Sequence, residues 1–172
     1  MQPAFGHPDS PWFTPSIDTV AERIETLVPL FGRRVIFTRF VPPAQPTGSW
    51  VQYYERWPFA RDPASDWLWQ LLPRWADRAS VASHRFSKWR EVSALLPPTP
   101  TLVLCGVSTD CCVLATALAA VDDGAHVRLV ADACAAKTPE IHQSAVENLA
   151  TRAPALAVVS AAEERAFQDH AA

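Results

Sequence analysis

Cysteine is the residue type with the most chemistry to offer in this chain. There are four, Cys105, Cys111, Cys112 and Cys134. Cys111 and Cys112 stand just after an apolar run, Thr101–Val107 (TLVLCGV), and open a helical stretch over 109–123 that Gly124 stops. With Thr109 as the cap, Cys112 falls in the first helical turn. The partial positive charge there favours thiolate over thiol. Unpaired backbone N–H groups of the same turn suit a developing oxyanion. One segment then supplies both nucleophile and oxyanion site. A small apolar core residue is an equally ordinary role for Cys, and position alone leaves both readings open. No CxxC or Cys/His spacing points to zinc, and the adjacent pair lacks the geometry of a thiol redox motif.

Lysine is scarce. Of fifteen Lys and Arg residues only Lys88 and Lys137 are Lys. The chain's 172 residues suit one domain with one sizeable core, and 49% hydrophobic with 19% charged residues is globular composition. A net charge of −3 gives no reason to expect nucleic acid or an anionic membrane as partner. The start, MQPAFGHPDSPW, lacks the basic and apolar regions of a signal peptide. The longest apolar stretch is interrupted by Ser108, Thr109 and Asp110, too broken for a membrane span. A reduced, cytosolic setting is the expectation.

The elements that must position the cysteines alternate. Residues 1–15 hold four prolines and read as loop. Ile17–Phe31 has helical apolar spacing, with Gly32 as its stop. A strand is predicted over 34–40 and a Pro-rich loop over 41–48. Residues 49–75 are unusually aromatic, with a helix expected over 66–72. Those rings, Trp50 among them, read as packing onto the core, as a lid over a substrate pocket, or as a subunit interface. A weaker strand is predicted over 79–84 and a helix capped by Ser87 over 87–96. After Thr101–Val107 and its helix come a strand over 127–131 and a helix opened by Thr138 and Pro139 to about residue 152. A strand over 156–160 and a terminal helix complete the chain. Continuous apolar strands alternating with helices predict an α/β fold with a parallel sheet covered on both faces.

The segment GVSTDCCVLATALAAVDDGAHVRLVADAC resembles the signature of the isochorismatase-like cysteine hydrolases, G-V-x-T-x-x-C-V, a helix, Gly, a strand, then Asp-Ala. MQPAF is similar to the end of that family's first strand, VIFTRF to its second, and VASHRFSKW to the segment holding its Lys. The resemblance covers nearly the whole chain. It implies a single domain with a three-layer αβα, Rossmann-like fold and a mostly parallel central sheet. It implies cleavage of a C–N bond in a small molecule through a thioester, with Cys112 as nucleophile and no cofactor. Asp serves as base in that family, and Lys assists. The implied oxyanion site is built by Val107, Ser108 and the backbone of Cys111 and Cys112, with a cis Val107–Ser108 peptide. The Cys111 side chain is expected in the core. Gln2 and Phe5 match pocket residues, and a pocket role is expected of Arg39, Trp50 and Ser83 as well. His142 is expected to be structural. Partners are expected to be a small-molecule substrate and further copies of the chain, with neither nucleic acid nor membrane.

Two departures accompany the resemblance. The family's Asp matches the position just before Met1, and its first central strand is missing from residues 1–172. The expectation is therefore an N-terminally shortened chain. Asp9, Asp18 and Asp110 are poor substitutes. Ser83 stands where the family has Lys, and Lys88, five residues later, is expected at a different structural place. Arg85 would share a face with Ser83 if the strand continued, and His84 would face away. Arg39-Phe40-Val41-Pro42 replaces the D-x-H metal motif of nicotinamidase-type relatives, so no metal is expected. Arg39 suits an anionic substrate or an ordinary surface role. The competing reading is an impaired relative that binds a small molecule or a partner.

Overall fold

The computed structural model describes residues 1–171. Helix α1 is a single turn, Pro3–Gly6, inside the stretch expected to be loop. Helix α2, Ile17–Phe31, buries the stripe Ile17, Val20, Ala21, Ile24 and Leu27. Gly32 ends it with φ of 54°, a left-handed conformation that Gly adopts without steric penalty. Strand β1 spans Phe37–Phe40 and helix α3 Ser49–Arg56. Three short 3-10 turns follow, including Pro63–Trp69 where a helix was expected over 66–72. Pro58, Pro63 and Pro73 each open one of these turns. Closely spaced prolines favour short turns over one continuous helix.

Strand β2 is Ser80–Ser83 and helix α4 is Trp89–Ser93. Strand β3, Thr101–Val107, leads into a π-helical turn, Thr109–Val113, and then helix α5, Leu114–Asp122. Strand β4, His126–Ala135, is twice the expected length. Helix α6 is Pro139–Ala150, strand β5 is Leu156–Val159 and helix α7 is Ala161–Ala171. Thr138 caps α6 as expected, its hydroxyl accepting from the Ile141 N–H at 3.3 Å.

All pairings are parallel. They form two sheets rather than one: β1–β2, and β3–β4–β5. Among the described residues no ladder joins β1 to β3. The shorter β1 follows from this. Residues 34–36 have no ladder partner on β2, whose pairing begins with Phe37 opposite Ser80. Two apolar clusters cover the larger sheet. One holds Val20, Ile24 and Leu27 of α2 with Val130 and Ala133. The other holds Ala117, Leu149 and Trp89 with Val127 and Leu129. This is the three-layer αβα arrangement. A third cluster packs the aromatic excursion around Phe40, Tyr54 and Trp69. No described helix is long and apolar enough to cross a membrane.

Candidate active site

The carboxyl end of β3 feeds the π-turn that carries both adjacent cysteines. The Val107–Ser108 peptide is cis. The Ser108 carbonyl accepts from Cys111 N–H at 3.2 Å and from Val113 N–H at 3.1 Å. The Cys111 amide is therefore already used, which corrects its expected part in an oxyanion site. Ser108, not the expected Thr109, is the cap residue, and Thr109 is wholly buried as the first residue of the turn. Its Oγ1 instead meets His142 Nδ1 at 2.8 Å, tying the turn to α6. The structural role expected of His142 takes this form.

Cys112 is held by several groups at once. The adjacent Cys111 thiol is the largest influence pulling the Cys112 pKa down. Burial opposes this, while the Lys88 charge and the Ser108 amide help. The net effect places Cys112 at about 7, well below an ordinary thiol. Cys111 is pushed up by the adjacent Cys112 and by burial. Its side chain is half-buried next to Cys112 rather than sealed in the core as expected. Burial pushes Cys105 up to about 11 and raises Cys134 as well. Tyr53 also stands close enough to feel both Cys111 and Cys112, and burial raises its pKa.

Lys88 is the residue that sequence reasoning misplaced. It is buried, with 4% of its surface exposed, and its side chain turns back over the preceding loop. Its Nζ donates to the Ser83 carbonyl at 3.5 Å and to the Arg85 carbonyl, and lies 5.2 Å from the centre of the Phe40 ring. Burial lowers its pKa, and the charges of Cys112 and Cys111 pull it back up. The long flexible stem of Lys bridges five residues of sequence, so the ammonium arrives beside the Ser83 position after all. Its backbone is anchored too. Thr116 Oγ1 accepts from Lys88 N–H at 3.0 Å and donates to the Cys112 carbonyl at 2.6 Å. That link was also invisible in the sequence. The legible signal was the scarcity of Lys, which left Lys88 as a cation to account for.

The other expected residues divide. Gln2, Phe5 and Arg39 line a cavity of about 950 Å³ together with Lys88 and Cys112. Trp50 and Ser83 are not part of its wall, which corrects their expected pocket role. Trp50 is occupied by Tyr53, Tyr54, His84 and Phe86. Ser83 is buried, and its Oγ accepts from Arg85 N–H at 3.1 Å. Strand β2 stops at Ser83, so Arg85 does not continue its face. The Gln2 amide is spent on structure, donating to Phe40 O at 2.7 Å and Trp69 O at 2.9 Å and accepting from Phe40 N–H at 2.7 Å. Arg39 donates from Nη1 to Trp69 O at 3.3 Å, while its buried Nε has no partner. Asp9, Asp18 and Asp110 are exposed, and Asp110 accepts from the Ser108 hydroxyl. A thiolate formed near neutral pH beside a buried ammonium is equipped to attack an electrophilic carbon.

Comparison with known proteins agrees with this architecture. The cysteine hydrolase of Pseudomonas syringae pv. phaseolicola superposes with a TM-score of 0.80 at 18% identity, over 100% of this chain and 90% of that one. An isochorismatase-like hydrolase from Alkaliphilus metalliredigens gives 0.74 at 19% identity, over 97% and 94%. The pyrazinamidase of Pyrococcus horikoshii, solved with zinc, gives 0.69 at 21%, over 93% and 94%. At such identities the likeness is one of fold. A curated relative, isochorismatase domain-containing protein 2 of Xenopus laevis, is 42% identical over 43 residues. The match covers 25% of this chain and spans only 21% of that relative's length. The family profile described as Isochorismatase domain matches residues 1–164. With that match over almost its whole length, the chain belongs to the isochorismatase family of hydrolases.

Proposed function

We propose that the protein is a cysteine hydrolase that cleaves the C–N bond of a small amide through a thioester on Cys112. The observation that carries this reading is the cavity that Cys112 shares with Lys88, where the Cys111 thiol and the Lys88 charge draw the Cys112 pKa down to about 7. The thiolate attacks the amide carbonyl, and the electron pair of the C=O bond moves to oxygen. The Lys88 ammonium stands on the same cavity and favours that negative charge. Collapse expels the amine, which takes up a proton, and water then hydrolyses the thioester to release the acid. A second reading is a binding protein with an activated but unproductive thiol: Asp9, Asp18 and Asp110 are exposed, and none of them is buried beside Cys112 as a proton acceptor.

Alkylation by iodoacetamide across pH, with the label mapped by mass spectrometry, tests the nucleophile. Cys112 is expected to label with a half-point near pH 7, while the other three thiols stay unlabelled well above it. A half-point at the ordinary value near 9 removes the activated nucleophile. Release of ammonia from a panel of small amides, lost in Cys112→Ser, then separates the hydrolase from the binding protein.

A further inference from the structure

The wall of the cavity beside Cys112 carries charge of one sign. Arg33, Arg34, Arg39 and Lys88 line it, and among the described residues no Asp or Glu does. Arg33 and Arg34 are exposed, where water and salt screen them. Arg39 and Lys88 are the more enclosed pair. The Lys88 ammonium is satisfied by the Ser83 and Arg85 carbonyls. The Arg39 guanidinium is not. Its Nη1 donates to Trp69 O at 3.3 Å, and its Nε is wholly enclosed with no partner. The other enclosed side-chain atoms without partners, Tyr54 Oη and Glu91 Oε2, belong to residues outside the cavity wall.

A guanidinium withdrawn from water without an anion is costly. Elsewhere the chain avoids that cost. Arg128 of β4 is also largely buried, and its Nε meets Oε2 of the fully buried Glu164 at 2.6 Å. Arg23 pairs with Asp132, and Arg74 with Glu25. Arg39 has no such partner among the described residues. We propose that Arg39 holds a carboxylate of the substrate, so that the compound cleaved is a small amide bearing a carboxylate apart from the scissile bond. The substrate class rests on the hydrolase reading above. The free edge of the side chain suits it. With Nη1 on Trp69 O, the edge left over is Nε with Nη2, two parallel N–H groups spaced for the two oxygens of a carboxylate.

Its place in the fold agrees. Arg39 is the last residue but one of β1, at the carboxyl end where open α/β sheets bind ligands. Trp69 O accepts from Gln2 Nε2 at 2.9 Å as well as from Arg39, and Gln2 also bonds the N–H and C=O of Phe40. The guanidinium is thereby tied to a fixed frame. The ring of Phe40, the next residue, lies 5.2 Å from Lys88 Nζ. The two cations divide the work at this end of the cavity. Lys88 is among the groups that lower the Cys112 pKa, and Arg39 is not. A cation that leaves the thiolate alone is available to the substrate.

The probes are malonamate, succinamate and glutaramate, each beside its neutral diamide. Binding is read at neutral pH as protection of Cys112 from iodoacetamide. The protein is expected to bind at least one acid about tenfold tighter than its diamide, and Arg39→Gln to bring the two within about twofold. Arg39→Lys keeps the charge without the fork and is expected to retain a preference of about threefold. Equal affinity for acids and diamides in the unsubstituted protein overturns the proposal. So does protection by none of the acids, or a preference undiminished in Arg39→Gln, which would give the anion to Lys88. If Arg39→Gln does not fold, an undiminished preference in Arg39→Lys overturns it instead. Protection needs no turnover, so the two readings fail separately. Acid-selective protection without ammonia release loses the hydrolase and keeps the anion site. Ammonia release from acids and diamides alike keeps the hydrolase and loses the anion site.

Discussion

Strands β3 and β4 lie side by side in different surroundings. β4 has a ladder partner on each edge and side chains sealed by helices on both faces. β3 has a partner on one edge and is half-buried through Leu102, Val103, Leu104 and Cys105. The Cys112 thiol sits in the turn that follows β3, the less supported strand. The ammonium that faces it comes from the chain after β2, in the other sheet. The site therefore bridges two sheets that share no ladder. Thr116 ties the halves together at the site end, through hydrogen bonds to Lys88 and Cys112.

The largest effect expected from this contrast is on stability. Leu129→Ala in β4 leaves a hole in a fully packed site and costs about 3–4 kcal/mol, whereas Leu104→Ala in β3 costs about 1–2 kcal/mol because its side chain already borders open space. Denaturant unfolding of both variants measures the difference, and equal losses would break the contrast. Next is Lys88→Met, which removes the buried cation that acts on Cys112 from the chain after β2. The Cys112 half-point for alkylation is expected to rise by about one pH unit, a tenfold loss of thiolate at pH values below it. An unchanged half-point would show that Cys111 and Ser108 suffice and that the second sheet contributes nothing to the nucleophile. The smallest is Thr109→Val, which deletes the hydrogen bond to His142. It is expected to cost about 1 kcal/mol in denaturant unfolding, with the half-point of Cys112 unmoved.

Much of the fold was legible because the signals are local. Helix α2 was readable from its apolar spacing and Gly32, α6 from Thr138 and Pro139, and β3 from its unbroken apolar run. The π-turn was not legible. Its sequence TDCCV reads as ordinary helix, while the turn is tied through the buried Thr109 to His142, 33 residues away. The 3-10 turns of the aromatic excursion were blurred for a related reason. Their prolines rule out a long helix without choosing among short ones.

The sequence by itself singled out Cys112 as the candidate nucleophile through the family-like segment around it, with its place after a strand and at a helix start in agreement, since both are local patterns. Only the tertiary structure decided what surrounds it. Counting positions put Lys88 in the wrong place, since linear alignment tracks backbone positions and a four-carbon side chain with a buried ammonium does not follow them. It also could not show that Trp50 and Ser83 stay out of the cavity wall. Those facts depend on long-range packing and on which groups find partners across the fold.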